Sequence, residues 1–238
     1  MKIALLGYGK MGKTIEHLAE KAGHSVVYRS TIDSSEGKLD EADVALEFSA
    51  PEQAVANIVR CFEHRLPVVS GTTGWLNRYD EVLKKCESSN GSFLYASNFS
   101  IGVNLFFQLN EYVAQLMEPW KDYQVEIEEI HHTEKKDAPS GTAISVAEGI
   151  IKHLPKNKWH LDNGDDADSI PIRAERMDDV KGTHRVLYRS NIDTIKIEHQ
   201  AHSRDGFALG ALLAANWLIG KTGVYTMEDV LRLKNTNK

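Results

Sequence analysis

The densest run of reactive side chains in this 238-residue chain is Glu128-Glu129-Ile130-His131-His132-Thr133-Glu134-Lys135-Lys136-Asp137-Ala138-Pro139-Ser140-Gly141-Thr142-Ala143. His131 and His132 end a strand-like stretch, where adjacent side chains point to opposite sides, so only one of them faces a given cleft. Lys135 adds positive charge and a transferable proton. Ser140 is a natural helix N-cap, and Gly141 and Thr142 place backbone N–H groups at the start of that helix, where an anion is stabilised. Each residue alone has an ordinary reading, as a surface histidine or a plain capped helix. Together they point to an anionic substrate that is reduced with proton transfer.

A second cluster opens the chain. Gly7-Tyr8-Gly9-Lys10-Met11-Gly12 fits GxGxxG directly after an apolar run and directly before a helical pattern. In that setting the first glycine permits the tight turn and the second lets backbone approach a pyrophosphate. The third allows close helix–strand packing, and the helix start meets the anion. A dinucleotide site of this kind needs an acid after the second strand for the ribose hydroxyls, and Asp33 is the candidate. Gly71, Thr72 and Thr73 follow a later strand at the carboxyl end of the expected sheet, where ligands of such folds bind.

The elements that must position these clusters are legible in the pattern. Apolar runs at 3–6, 25–28, 44–48, 67–70 and 93–96 alternate with helical patterns at 11–22, 51–63 and 79–86, which predicts a parallel, doubly wound sheet. The texture changes near residue 100. A long apolar helix is expected at 103–117, a half-exposed strand at 123–130 and a helix at 143–153. Strands at 170–176, 184–190 and 194–202 alternate as antiparallel strands do. Helices are expected at 209–219 and 227–234, and the acidic stretch 163–168 reads as a loop. The fold class is therefore α/β. An N-terminal Rossmann-type parallel sheet spans 1–99 with 208–238. A second α+β domain at 100–207 carries a mixed or antiparallel sheet.

Composition narrows the class further. A net charge of −6 argues against nucleic acid as the main partner. Cys61 and Cys86 are far apart with no CxxC spacing, so neither a disulfide framework nor a zinc site is expected, and no metal is assigned. Met1 to Leu6 imitates a signal peptide only briefly, and no stretch has the apolar length of a membrane span. A cytoplasmic protein with no membrane partner is expected.

The segment 131–143 resembles the HHxxKxDAPSGTA signature of the 4-hydroxy-tetrahydrodipicolinate reductase family, letter for letter at the signature positions. The resemblance extends to GYGKMG at 7–12, EFSAPE at 47–52, GTTG at 71–74, SNFSIGVN at 97–104 and HQAHSR at 199–204. It implies His131 as general acid/base and Lys135 as proton donor. His132, Ser140, Gly141 and Thr142 would hold a small dicarboxylate substrate. Gly7, Tyr8, Gly9, Lys10, Met11, Gly12, Asp33, Gly71, Thr72, Thr73, Ala96, Ser97, Asn98 and Phe99 would contact NADH or NADPH. The reaction implied is hydride transfer to C4 of a cyclic imine dicarboxylate, with loss of the 4-hydroxyl as water, in diaminopimelate and lysine biosynthesis. A homotetramer built through the second-domain strands is also implied.

Three departures stand out. Many members place a basic residue after the ribose-binding acid, whereas Asp33 is followed by Ser34 and Ser35, which favours NADH; Arg29 and Lys38 are the other cations within reach. Glu47 stands where Asp is commoner, and the chain is short, consistent with trimmed loops near 34–40 and 160–170. The competing readings are another Rossmann dehydrogenase acting on an amino or hydroxy acid, and a non-catalytic dinucleotide sensor. The sensor would have no need of His131, His132 and Lys135.

Overall fold

A computed structural model describes residues 1–162, 166–203 and 205–233. The chain divides into two compact units, Met1–Ile101 with Asp205–Lys238, and Gly102–Arg204.

The first unit begins with β1 (Lys2–Leu6), α1 (Lys10–Lys21), β2 (Ser25–Ser30), β3 (Ser35–Gly37), β4 (Val44–Glu47), α2 (Pro51–Glu63), β5 (Val68–Ser70), α3 (Tyr79–Ser88) and β6 (Ser92–Tyr95). The second unit contains α4 (Ile101–Met117), β7 (Gln124–His131), α5 (Gly141–Ile151), β8 (Lys158–Leu161), β9 (Ser169–Arg176), β10 (Thr183–Arg189) and β11 (Thr194–Gln200). The chain then returns to the first unit with α6 (Asp205–Leu218), β12 (Gly223–Tyr225) and α7 (Met227–Leu231).

The first unit holds a seven-stranded sheet in the order β12-β6-β5-β4-β1-β2-β3, parallel except for β3. Its central strands are apolar because both faces are covered. Along β1 the period of two sends Ile3 and Leu5 into the core beside α1 and α6, and Ala4 and Leu6 into the core beside α2 and α3. Helix α6 presents Ala208, Ala211, Ala214 and Ala215 to that first core. Gly210 lies so close to the Phe99 carbonyl that a Cβ there has no room.

The second unit holds a five-stranded sheet in the order β11-β10-β7-β9-β8. Its core joins Ile127, Ile172, Val186 and Tyr188 of the sheet to Phe106, Ala114, Val146 and Ile150 of the helices. The sheet is mixed, and here one sequence reading needs correction. The strand expected at 170–176 to be antiparallel runs parallel to both β7 and β8, while β10 and β11 are antiparallel. Alternation reports that one face is buried and says nothing of direction. The connection from β7 to β9 contains a helix, as parallel crossovers require.

Three strands carried no clear sequence signal, β3, β8 and β12, and all three lie at sheet edges. Edge strands bury little, so they need little hydrophobic pattern; β3 is exposed at all three residues. The expected loop at 34–40 therefore contains a strand that pairs with β2, and β8 occupies residues just before the expected acidic loop. Asn163, Gly164 and Asp165 of that loop lie outside the described residues, as do Arg204 and Lys234. Helix α7 stops at Leu231, where Arg232 takes a left-handed conformation with φ 56°. Among the described residues no helix is long and apolar enough to cross a membrane.

Candidate active site

In the first unit the glycine-rich turn joins β1 to α1. Gly7 has φ +102°, and a Cβ there would run into the Phe48 carbonyl; one on Gly12 would strike the Gly7 carbonyl. The amides of Gly7 and Tyr8 both donate to the Ser30 carbonyl at 3.0 Å. The turn is thus pressed against its neighbours at its two ends. Gly9 between them is exposed, and a Cβ there would meet nothing within 4 Å. That open side, at the N-terminus of α1, fits a pyrophosphate approached by backbone. Lys10 is exposed and Met11 packs on the core.

Asp33 is exposed on the turn after β2, where the Asp33 and Ser34 amides donate to Thr31 Oγ1 at 3.3 and 3.2 Å. Arg29, the nearby cation, is committed elsewhere. Its Nε donates to Glu16 Oε1 at 2.8 Å, and Tyr8 donates its hydroxyl to the other Glu16 oxygen. Burial would push the Glu16 carboxyl up, but these two hydrogen bonds and the guanidinium charge hold it below its ordinary range. Lys38 pairs with Glu41 at 3.3 Å on the surface.

Gly71, Thr72 and Thr73 follow β5, and Ala96 to Phe99 follow β6, both at the carboxyl ends of their strands. Thr73 and Ser97 are exposed. Asn98 Oδ1 accepts from the Ser100 amide at 2.9 Å, and the Phe99 ring lies 5.6 Å from that of Phe48. Beneath these loops sits a fully buried carboxylate, Glu47. It accepts from the Ser49 amide at 3.1 Å, from Ser70 Oγ at 2.6 Å, from Thr72 Oγ1 at 2.9 Å and from the Ser49 hydroxyl. Glu47 thereby ties the loop after β4 to the loop after β5.

In the second unit the cluster forms at the end of β7. His131 is buried and its Nδ1 stands against Glu129 Oε2. Glu129 is two residues earlier on the same face of the strand and is fully buried. Its other oxygen, Oε1, accepts from Nη1 and Nη2 of Arg176, each at 3.1 Å. Burial would raise the Glu129 carboxyl, but the imidazole and the guanidinium outweigh it and hold it below its ordinary range.

His184, from β10, completes the cluster with its ring centroid 5.1 Å from that of His131. Its Nε2 lies 3.0 Å from Ser140 Oγ. Burial, followed by the neighbouring His131, pushes the His184 imidazole down to about 3, so it is neutral near pH 7. Ser140 caps α5 as its residue type predicts, with Oγ accepting from the Ala143 amide at 3.2 Å. Gly141 is exposed in the first turn, where backbone amides have no acceptor within the helix, and Thr142 follows it. Lys135 is half-buried, with Nζ 2.8 and 2.7 Å from the two oxygens of Asp137. Its ammonium holds the Asp137 carboxyl below the usual range. His132 lies just past the strand end and is half-buried.

Residue type alone did not reveal Glu129, Arg176 and His184 as members of this group. Strand register supplies the missing signal, since Arg176 pairs with His131 across β9 and β7, and His184 pairs with Glu129 across β10 and β7. Glu129, His131 and His184 bring ligand-type atoms within 4.8 Å of one another. The Glu129–His131 contact is closer than two ligands of one ion stand, and Arg176 already grips the same carboxylate. The geometry fits a charge-assisted hydrogen-bond network rather than a metal site.

A nucleotide-type sheet with a glycine turn, combined with an acid–base cluster and a capped helix start, defines an oxidoreductase that reduces a small anionic substrate. Comparison with known proteins makes this specific. Residues 1–99 match the family model for the N-terminus of dihydrodipicolinate reductase, and residues 102–231 match that for its C-terminus. The chain belongs to the dihydrodipicolinate reductase family. A 4-hydroxy-tetrahydrodipicolinate reductase of Christiangramia forsetii is 52% identical over 97% of this chain and 98% of its own. One from Neisseria gonorrhoeae is 34% identical over 92% of this chain and 85% of its own. In three dimensions the chain is similar to a dipicolinate-bound dihydrodipicolinate reductase from Paenisporosarcina sp. TG-14. The TM-score is 0.77 at 22% identity, with 95% of this chain and 97% of that one covered.

Proposed function

We propose that this reductase converts 4-hydroxy-2,3,4,5-tetrahydrodipicolinate to tetrahydrodipicolinate in diaminopimelate and lysine biosynthesis, with the second unit binding the dicarboxylate and the first the dinucleotide. The observation that carries the reading is one contiguous site in the second unit. His131, Lys135 and the Ser140-capped start of α5 lie on a short segment after β7, braced by Arg176. The dipicolinate held by the Paenisporosarcina relative supports a dicarboxylate ligand.

The roles follow from the chemistry of the groups. The first-turn amides at Gly141 and Thr142, with His132 and Ser140, receive the substrate carboxylates. Loss of the 4-hydroxyl and of a proton from the adjacent carbon expels water and leaves a conjugated imine. A bound dinucleotide supplies the hydride to C4. The adjacent carbon then takes a proton from the Lys135 ammonium, and His131 acts as the general acid/base that exchanges protons at the site. Substrate, reduced cofactor and one proton thus give product, oxidised cofactor and water. Before that, Lys135 must leave Asp137, and an incoming carboxylate offers the competing partner.

The dinucleotide is held at Gly7 to Gly12, Asp33, Gly71 to Thr73 and Ala96 to Phe99, and NADH is the better fit. Asp33 repels a 2′-phosphate, and Arg29 is neutralised by Glu16. The protein is further proposed to be a cytoplasmic homotetramer associating through the strands at 170–202, with sedimentation checking the tetramer.

Purified protein should oxidise NADH, and NADPH less efficiently, only when freshly formed substrate is present. Lys135→Ala should cut turnover by about 100- to 10,000-fold while cofactor affinity holds. Normal turnover in that variant would remove Lys135 from the mechanism.

A further inference from the structure

Arg176 on β9 is partly exposed yet uses all three of its guanidinium nitrogens in directed contacts. Two nitrogens meet Glu129 Oε1 at 3.1 Å each. Nε donates to the Lys135 carbonyl at 3.2 Å, and Nη2 donates to the Asp137 carbonyl at 2.6 Å. Nη1 also donates to the Glu175 carbonyl at 2.8 Å. One planar group therefore joins the sheet to the backbone on both sides of Lys136.

The segment it grips has no regular secondary structure of its own: residues 132–140 form no helix or strand. Its ties include a turn bond from the Lys135 amide to the His132 carbonyl at 3.1 Å, the Lys135–Asp137 ion pair, a bond from the Thr133 hydroxyl to Asp178 at 2.9 Å, and Ser140 Oγ at its far end, 3.0 Å from His184 Nε2. The carboxylate shared by Arg176 is the one whose second oxygen faces His131. Both proton-handling residues are thus referenced to the same guanidinium, one through its backbone and one through Glu129.

We infer that Arg176 is a positioning residue for the reaction, setting the Lys135 segment in register with His131 through the buried Glu129 carboxylate. This rests on the reading that His131 and Lys135 handle the protons. A lysine cannot substitute, because an ammonium offers a point charge where the fork of the guanidinium reaches a carboxylate and two carbonyls at once. Displacement of a reacting group by about 1 Å costs on the order of 100-fold in rate.

The test compares Arg176→Lys, Arg176→Gly, Arg176→Met and Glu129→Gln in the full-length enzyme. Arg176→Lys should lower kcat by about 10- to 100-fold with cofactor dissociation constants within about twofold, because the dinucleotide turn lies in the other unit. In Arg176→Gly, added guanidinium ion at millimolar concentration should restore part of the lost kcat, which a general loss of stability would not allow.

The pH profile of kcat supplies a second readout. Charged or titratable groups around His131 are Glu129 on its own strand, Arg176 on β9, His184 on β10 with His199 beyond it on β11, and Lys135 and Asp137 on the following segment. Removing the anion in Glu129→Gln should move the acidic limb to lower pH, and removing the cation in Arg176→Met should move it to higher pH. Purely structural damage gives no such opposition. If Arg176→Met does not fold, the kcat of Arg176→Lys and the guanidinium rescue decide. The inference is overturned if Arg176→Lys keeps wild-type kcat, or if rescue is absent, while Lys135→Ala is inactive. If Lys135→Ala is itself active, the reading of the site fails instead.

Discussion

Two carboxylates, Glu47 and Glu129, are completely buried at or near the carboxyl ends of their strands, one beneath each candidate half-site. Their partners differ. Glu47 is surrounded by neutral donors, the Ser49 amide and the hydroxyls of Ser49, Ser70 and Thr72. Glu129 is surrounded by an imidazole and a guanidinium. The first arrangement fixes loop geometry and puts no cation beside the carboxylate. The second fixes geometry and also places a carboxylate against an imidazole, the group proposed to transfer protons. The proposed dinucleotide side is thus a shaped backbone cradle, whereas the proposed substrate side is an electrostatic device.

The most forceful way to break this comparison is to delete each carboxylate. Glu129→Ala leaves Arg176 and His131 without their buried counter-charge, and a loss of about 3–5 kcal/mol in unfolding free energy is expected by denaturant titration. Glu47→Gln keeps the volume but turns an N–H donor toward groups that themselves donate. It should cost about 1–3 kcal/mol and weaken NADH binding, read by cofactor fluorescence. Equal costs for the two would erase the distinction between charged and neutral partners.

The neutral imidazole beside Glu129 gives a third, smaller effect. His184 binds a proton in the unfolded chain at about pH 6.5 but in the folded protein only at about 3. The unfolded state therefore holds the extra proton between these values. Stability contributed by His184 is present above pH 6.5 and is lost as pH falls below it. The slope is at most ~1.4 kcal/mol per pH unit. Melting curves at pH 7, 6, 5 and 4 should show a flatter decline for His184→Gln; an unchanged decline would mean that His184 is not the group responsible.

The smallest structural effect sharpens the cradle. Gly9→Ala adds a methyl where nothing lies within 4 Å, so stability should stay within about 0.5 kcal/mol of the parent. The methyl would stand where backbone is expected to approach the pyrophosphate, so NADH affinity should fall at least tenfold. Unchanged affinity would place the dinucleotide elsewhere.

How much of this was legible in the sequence depends on how far apart in the chain the cooperating residues are. The turn at Gly7–Gly12 and the segment from His131 to Thr142 are local, so their spacing alone predicts a strand–turn–helix and a capped helix start. The capping role of Ser140 needs only Ala143, three residues away. Glu129 stands only two residues before His131, yet its partner Arg176 lies 47 positions further on. The direction of β9 was misread because alternation of exposed and buried residues is the same in parallel and antiparallel strands. The edge strands β3, β8 and β12 escaped notice because partial exposure removes the pattern by which strands are recognised.

By itself the sequence determined the α/β class, the glycine turn between β1 and α1 and the Ser140-capped start of α5, because backbone conformation, capping and alternation act between near neighbours. Only the tertiary structure decided that Arg29 is taken up by Glu16, that Glu47 ties two loops, and that Arg176 and His184 close around Glu129 and His131. These last facts follow from sheet register, which sets residues from distant strands opposite one another. Register is chosen by the packing of the whole sheet, and no short window of sequence contains it.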